Sequence, residues 1–329
     1  MSEDYSNKNV SILNVGNVLV DIEISISNKQ LSEIPIQKGR AIEINSDELA
    51  FYLSKYKSKI TNQYLGGSIF TTAATSSIFK INNLFLGSVG KDSNSKFLID
   101  IMNTYPIKSF LNVDPQNTGC CLIFLTPDKE RTMAACPGAS SQLTLANFTE
   151  TEHFDYIFSD LYSLNSIINK KTISHLLASN KGLILSLSDI SVMKKHMDFI
   201  KKYSDQIKII AGNEDEMKYL EQAMNSSLIS ASRNNNKLYI ITKGSSGSLI
   251  LHKGVEYVSE AIATKVRSLN GAGDTYLGAF IGCYMETEDI QYSGNVANYF
   301  SHVAVQQNNA CLTLSNLQST KNAAKAAFL

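Results

Sequence analysis

The sequence predicts an α/β protein: a mostly parallel central sheet covered by helices on both faces, with a smaller sheet projecting from it. Three observations carry this. After about residue 153, strand-like runs recur at 154–158, 182–187, 207–211 and 238–242, with helix-like stretches between them. Nearer the start, segment 21–27 alternates polar and apolar residues, and it and the hairpin at 119–135 are too polar on one side for a buried parallel sheet. The 329 residues are 43% hydrophobic, ample for a core, and no repeat or low-complexity linker divides them. One domain over residues 1–329 follows, with the small sheet made discontinuously by about 18–45 and 105–140.

Taken in order, Ser11-Ile-Leu-Asn-Val-Gly16 reads as a first strand ending in a turn, and 21–27 as a half-exposed strand. Ser46-Asp-Glu-Leu starts a helix that Ser46 can cap, with Leu49, Leu53 and Tyr56 on its buried face. Tyr64-Leu-Gly-Gly-Ser68 leads into another helix. Residues 119–125, a turn at Thr126-Pro-Asp-Lys129, and residues 130–135 form a hairpin. Ligands of parallel sheets bind beyond the carboxyl ends of the strands. Ala211-Gly-Asn213, Thr242-Lys-Gly244 and the segment from Gly271 all follow strand-like stretches, so they can converge on one edge.

Bulk properties exclude several classes. Net charge is zero with no sustained basic run, which argues against a nucleic-acid surface. Five cysteines in an odd count, with no C-x-x-C pair, and five scattered histidines give neither a disulfide framework nor a zinc site. The polar start, Met1 to Lys8, has no apolar signal core, and no segment is long enough to span a bilayer. A soluble, cytoplasmic protein is expected, with no membrane partner.

Leu269-Asn-Gly-Ala-Gly-Asp274 carries the most chemistry. The glycines let backbone approach an anion, and unpaired N–H groups at a helix start attract phosphate oxygens. A carboxylate there repels phosphate but can take a proton from a hydroxyl about to attack it. A Gly-rich turn with Asp274 as an ordinary N-cap explains the same residues. Thr242-Lys-Gly-Ser-Ser-Gly247 lets backbone approach a nucleotide, or is a glycine hairpin turn. Asn213-Glu-Asp-Glu216 is the pattern of a capping box, or holds waters around Mg²⁺. The Gly66-Gly67 pair opens space for a ligand, or makes a tight turn.

In this order and spacing the elements resemble the ribokinase-like (PfkB) carbohydrate kinases, and within them the adenosine-kinase-like branch. The resemblance runs from about residue 11 to 311. It rests on Val15-Gly-Asn-Val-Leu-Val-Asp21, Gly66-Gly67-Ser68, Ser88-Val-Gly-Lys-Asp92, Thr118-Gly119, Glu130-Arg-Thr132 with Gly138-Ala139, Asn213 to Glu216, and Asn270 to Asp274. It implies a ribokinase-like three-layer sandwich with a β-sheet lid. It also implies an ATP- and Mg²⁺-dependent kinase acting on a primary hydroxyl of a nucleoside or sugar.

The roles it implies are as follows. Asp274 is the general base, Gly271, Ala272 and Gly273 form an anion hole, and Arg131 is a lid arginine. Asn17, Asp21, Gly66, Gly67, Ser68 and Thr71 bind the substrate. Thr242, Gly244, Gly247, Asn213 and Asn298 bind ATP, with Glu216 reaching the metal through water. A monomer or homodimer is expected.

Departures from the family pattern are specific. Ser268 and Leu269 replace Asp-Thr before the last motif, and Asn309 replaces a glycine. Both regions contribute to a monovalent-cation site in many relatives, so the resemblance does not carry potassium activation over to this chain. Thr71 replaces an asparagine, and Ser95 a glycine. Adenosine or a related nucleoside is the first substrate, a ribose- or fructose-type sugar the second. A non-catalytic nucleoside or sugar sensor is the third reading. A Rossmann dehydrogenase is disfavoured because no G-x-G-x-x-G follows the first strand.

Overall fold

The computed structural model describes residues 10–128, 130–149 and 152–328. The polar start and Lys129 of the expected turn lie outside them. β1 (Ser11–Val15) enters the middle of a sheet. β2 (Leu19–Ser25), α1 (Asn28–Ser32), β3 (Ala41–Glu43), α2 (Ser46–Lys55) and β4 (Ile60–Gly66) then build most of a second one. The chain returns through α3 (Ser68–Ser76), β5 (Asn82–Val89), α4 (Ser93–Met102) and β6 (Lys108–Val113). A hairpin of β7 (Cys120–Leu125) and β8 (Arg131–Cys136) completes the second sheet. The rest alternates: β9 (Tyr156–Asp160), α5 (Ile167–Leu177), β10 (Gly182–Ser186), α6 (Ile190–Lys202), β11 (Ile207–Asn213), α7 (Glu214–Met224), α8 (Leu228–Asn234) and β12 (Leu238–Thr242). β13 (Ser248–His252), β14 (Val255–Ser259), α9 (Ala272–Thr287), α10 (Ile290–Ala304) and α11 (Leu314–Phe328) close the chain.

The large sheet has the order β14-β13-β12-β11-β10-β9-β1-β5-β6, parallel except where β13 and β14 turn back. Its strands are apolar on both faces, so each contributes to two cores. Ile12, Phe85, Phe158, Ile184, Ile209 and Ile240 pack under α3, α9, α10 and α11. Their neighbours Leu13, Leu86, Ile157, Leu183, Ile210 and Tyr239 pack under α5, α6, α7 and α8. Chain order reverses beside β1, which sits between β5 and β9. The crevice at the carboxyl ends of β1 and β9 is therefore where such a sheet binds a ligand.

The small sheet has the order β3-β8-β7-β2-β4. Alternation gives it two unlike faces. Val20, Ile22, Ile24, Leu122, Phe124 and Ala134 are buried in the main core, with Tyr52 and Tyr56 edge-on to Phe124. Tyr64, Asp21, Cys121 and Ala135 stand in register across the other face.

The expected bounds of the small sheet need correction. β4 belongs to it, whereas β6 pairs with β5 at the edge of the large sheet because its register matches that parallel neighbour. Asn45, not Ser46, caps α2, accepting from the Asp47 and Glu48 N–H groups while Glu48 returns a bond to Asn45 N–H. No strand precedes Gly271; residues 260–270 form a loop pinned to α10's end by Arg267 and Ser268 N–H donating to Val305 O. Among the described residues no helix is long and apolar enough to cross a membrane.

Candidate active site

Gly271 caps α9 with φ +71°, a left-handed conformation that suits glycine. A Cβ there would lie 2.0 Å from Ala310 O. The first helical bond runs from Thr275 N–H to Gly271 O at 2.8 Å. Among the described residues, the N–H groups of Gly271, Gly273 and Asp274 have no acceptor within the chain, as expected at a helix start. Space beside Gly273 is open: a Cβ there would meet nothing within 4 Å. Ala272 differs from expectation, because its N–H donates to Leu269 O at 3.3 Å to close the preceding turn.

Asp274 sits in the first turn of α9, where Ser68 Oγ, at the start of α3, donates to its Oδ1 at 2.5 Å. Burial raises the carboxyl pKa, and the Ser68 bond opposes that rise. The two helix starts are close because α3 and α9 touch without a side chain between them. A Cβ on Gly278 would lie 2.4 Å from Thr72 O. Thr72 Oγ1 also donates to Asp274 O at 3.2 Å.

Asp21 faces this pair from β2. It is 7% exposed, and burial pushes its pKa up to about 7, against the pull of a bond from Asn270. Asp274's charge adds to the rise and Arg131's opposes it. Asn270 Nδ2 donates to Asp21 Oδ2 at 3.4 Å and to the Tyr64 hydroxyl at 3.2 Å. Gly66 leaves the space Asp21 fills, since a Cβ would overlap the carboxylate at 2.0 Å. Gly67, at φ +100°, lies against Asn17 O. Asn17 Oδ1 is buried and accepts no hydrogen bond. Arg131 projects from β8 and its guanidinium donates to Ser268 Oγ. Thr71 is not at the surface of this cluster; it is 1% exposed, inside α3.

The segments that the resemblance assigns to the nucleotide meet at the neighbouring strand ends. Asn213 and Thr242 are register partners at the ends of β11 and β12. The turn at Gly244, φ +54°, opens onto space empty to 4 Å, and Gly247 closes the β12–β13 hairpin against Ser259 O. Both readings of that segment are thus compatible with its geometry. Asn213 and Glu216 form the full capping box. Glu216 accepts from Asn213 N–H at 3.0 Å and from Asn213 Nδ2 at 2.7 Å, and it is 6% exposed with a pKa raised by burial. Each of its oxygens accepts one bond within the helix start, which leaves lone pairs for the water of a metal ion. Among the described residues no group of three or more His, Cys, Asp or Glu could hold a metal. Asn298 is a brace within the wall: buried, it donates to Ser248 Oγ at 3.2 Å and Ser259 O at 2.9 Å, where Tyr276 also reaches Ser248.

Sequence reasoning missed Asp160. It ends β9 beside the chain reversal, is 3% exposed and accepts from Ser163 N–H and Oγ at 2.8 and 2.6 Å. Burial raises its pKa to about 6 against those bonds, and Asp274's charge adds to the rise. The only signal was an acid closing an apolar strand at the binding edge. A separate cavity of about 260 Å³, lined by Leu49, Leu53, Asp92, Thr118 and Cys120, lies between α2 and α4 and shares no residue with this cluster.

A buried acid beside free helix-start amides, at the reversal of a parallel sheet, is the arrangement the resemblance implies. Comparison with known proteins bears on the fold and the family. The chain is 24% identical to an adenosine kinase of Dictyostelium discoideum, covering 93% of this chain and 98% of that one. It is 22% identical to an adenosine kinase of Schizosaccharomyces pombe, covering 92% and 96%. A probable sugar kinase from Rhizobium etli shares the fold, with a TM-score of 0.85 at 20% identity over 98% of this chain and 100% of that one. An adenosine kinase from Sinorhizobium meliloti does so at 0.83 and 19%, over 96% and 100%. The model of the pfkB family carbohydrate kinases matches residues 40–317. The chain belongs to that family and is a sugar or nucleoside kinase of ribokinase-like fold.

Proposed function

We propose that the chain transfers the γ-phosphoryl of ATP to a primary hydroxyl of an adenosine-like nucleoside, with Asp274 as general base. The observation that carries this is Asp274's position: a carboxylate of raised pKa in the same helix turn as the unspent Gly271 and Gly273 amides. Ser68 occupies Oδ1, which leaves Oδ2 to accept the alcohol proton. A raised pKa makes it a stronger base. The amides stabilise charge on the migrating phosphoryl group. Bound Mg²⁺ would neutralise phosphate charge. Glu216, held in its cap by Asn213, would reach such an ion through water.

Substrate hydroxyls have two partners: Asp21, and Asn17 Oδ1, a buried acceptor that lacks a donor. A nucleoside is favoured over a free sugar because the inner face of the small sheet carries an apolar strip between Asp21 and Arg131. Leu19, Tyr64, Cys121, Ile123, Met133 and Ala135 offer a surface for a base. Relatives named adenosine kinases support the same choice. The small sheet then serves as a lid that excludes water from ATP.

Asp274→Asn tests the chemistry: kcat falls by at least about 10²-fold, while isothermal titration shows nucleoside binding retained. Near-full turnover would remove Asp274 from the mechanism. ADP release measured on a panel of nucleosides and sugars tests the substrate. Turnover confined to ribose- or fructose-type sugars would move the assignment to them, and binding without turnover would favour a sensor.

A further inference from the structure

Two seam positions depart from the family pattern, and both touch the small sheet. Ser268, in place of aspartate, accepts a bond from the Arg131 guanidinium of β8. Its Oγ also accepts from Asn270 N–H at 3.2 Å. Asn309, in place of glycine, accepts from Asn62 Nδ2 of β4 at 3.3 Å. The monovalent cation implied for these segments does not fit the donors. A hydroxyl replaces the carboxylate, its oxygen already accepts two N–H groups, and one of them belongs to a guanidinium that repels a cation.

We infer that Ser268 and Asn309 are positioning residues that latch the small sheet onto the body without a monovalent cation. The latch reaches the reacting groups from behind. Ser268 holds the backbone of Asn270, whose side chain bonds Asp21 and Tyr64. Ala310, next to Asn309, packs on Tyr64, Cys121 and Ile123, and its carbonyl lies against Gly271. Displacing the small sheet therefore disturbs both the substrate carboxylate and the helix-start amides. A neutral acceptor suits this task. The guanidinium can leave a hydroxyl for a phosphate oxygen, whereas an aspartate at 268 would retain it as an ion pair.

The test uses the unliganded full chain and hydrogen exchange read by mass spectrometry, so only its kinetic arm rests on the kinase assignment. In S268A and N309G, peptides covering β4 and β8 exchange faster, by about threefold or more, and S268A/N309G exceeds either. S268T restores the wild-type rate. Replacing potassium by tetramethylammonium at constant ionic strength leaves wild-type exchange unchanged. In the kinetic arm, KM for the acceptor in S268A rises only as far as the closed fraction falls, and kcat changes by less than about twofold, because only the closed fraction binds. S268D lowers kcat. Unchanged exchange in the double variant would overturn the latch, as would potassium slowing exchange of the wild type. Loss of kinase activity on every acceptor, with exchange behaving as stated, would instead count against the assignment of function and leave the latch standing.

Discussion

Replacing Asp21 by asparagine should stabilise the unliganded protein, and the gain should depend on pH. Burial holds the Asp21 pKa at about 7 against an ordinary value of 3.8. Between those values the folded chain keeps a proton that the unfolded chain has released. Stability therefore falls as pH rises through this window, and the loss is complete above about pH 7. At about 1.36 kcal/mol per unit of pKa, the penalty is about 1 kcal/mol at pH 4.5, about 3 at pH 6 and about 4 at pH 8. Asparagine cannot ionise, so D21N escapes it. Urea unfolding of both proteins at those three pH values measures the difference. The expected result is a D21N advantage that grows by about 3 kcal/mol from pH 4.5 to 8, together with a raised KM for the acceptor. A pH-independent difference, or one of opposite slope, would refute the claim that Asp21 is held protonated by its surroundings.

Gly271→Ala forces a left-handed alanine and a Cβ 2.0 Å from Ala310 O, so thermal stability and kcat should fall together, the former by at least about 1–2 kcal/mol. Gly273→Ala meets no atom within 4 Å, so its melting temperature should hold or rise slightly while ATP turnover drops; unaltered turnover would place the phosphates elsewhere. Asn298→Ala removes two buried hydrogen bonds and should cost about 1–3 kcal/mol in urea unfolding with KM for ATP nearly unchanged. A raised KM at unaltered stability would return Asn298 to the nucleotide.

Much of this architecture is readable from local pattern. The runs after residue 153 became β9 to β12 because strands buried on both faces must be continuously apolar. The polar alternation around Asp21 and Arg131 marked a sheet with one face turned to a site. Pairings across long stretches of chain were not legible. Nothing near Ser68 says that its hydroxyl will meet Asp274, 206 positions away, or that Asn270 will reach Asp21 across 249. The burial of Asn298 and Thr71 was hidden for a related reason: a polar residue on a helix gives no sign of whether it faces a ligand or an interior neighbour. Asp160 escaped notice because a single acid at a strand end has no periodicity to betray it.

The bare contact at Gly278 sets a tolerance for the whole catalytic corner. It lies four residues beyond Asp274, about 6 Å along the helix axis. Any bulk placed there acts as a wedge between two rods, and the rods diverge where the acid and the serine must meet. If Asp274 is the base proposed above, the fidelity of its proton transfer is set partly by an atom that is missing, a Cβ at position 278.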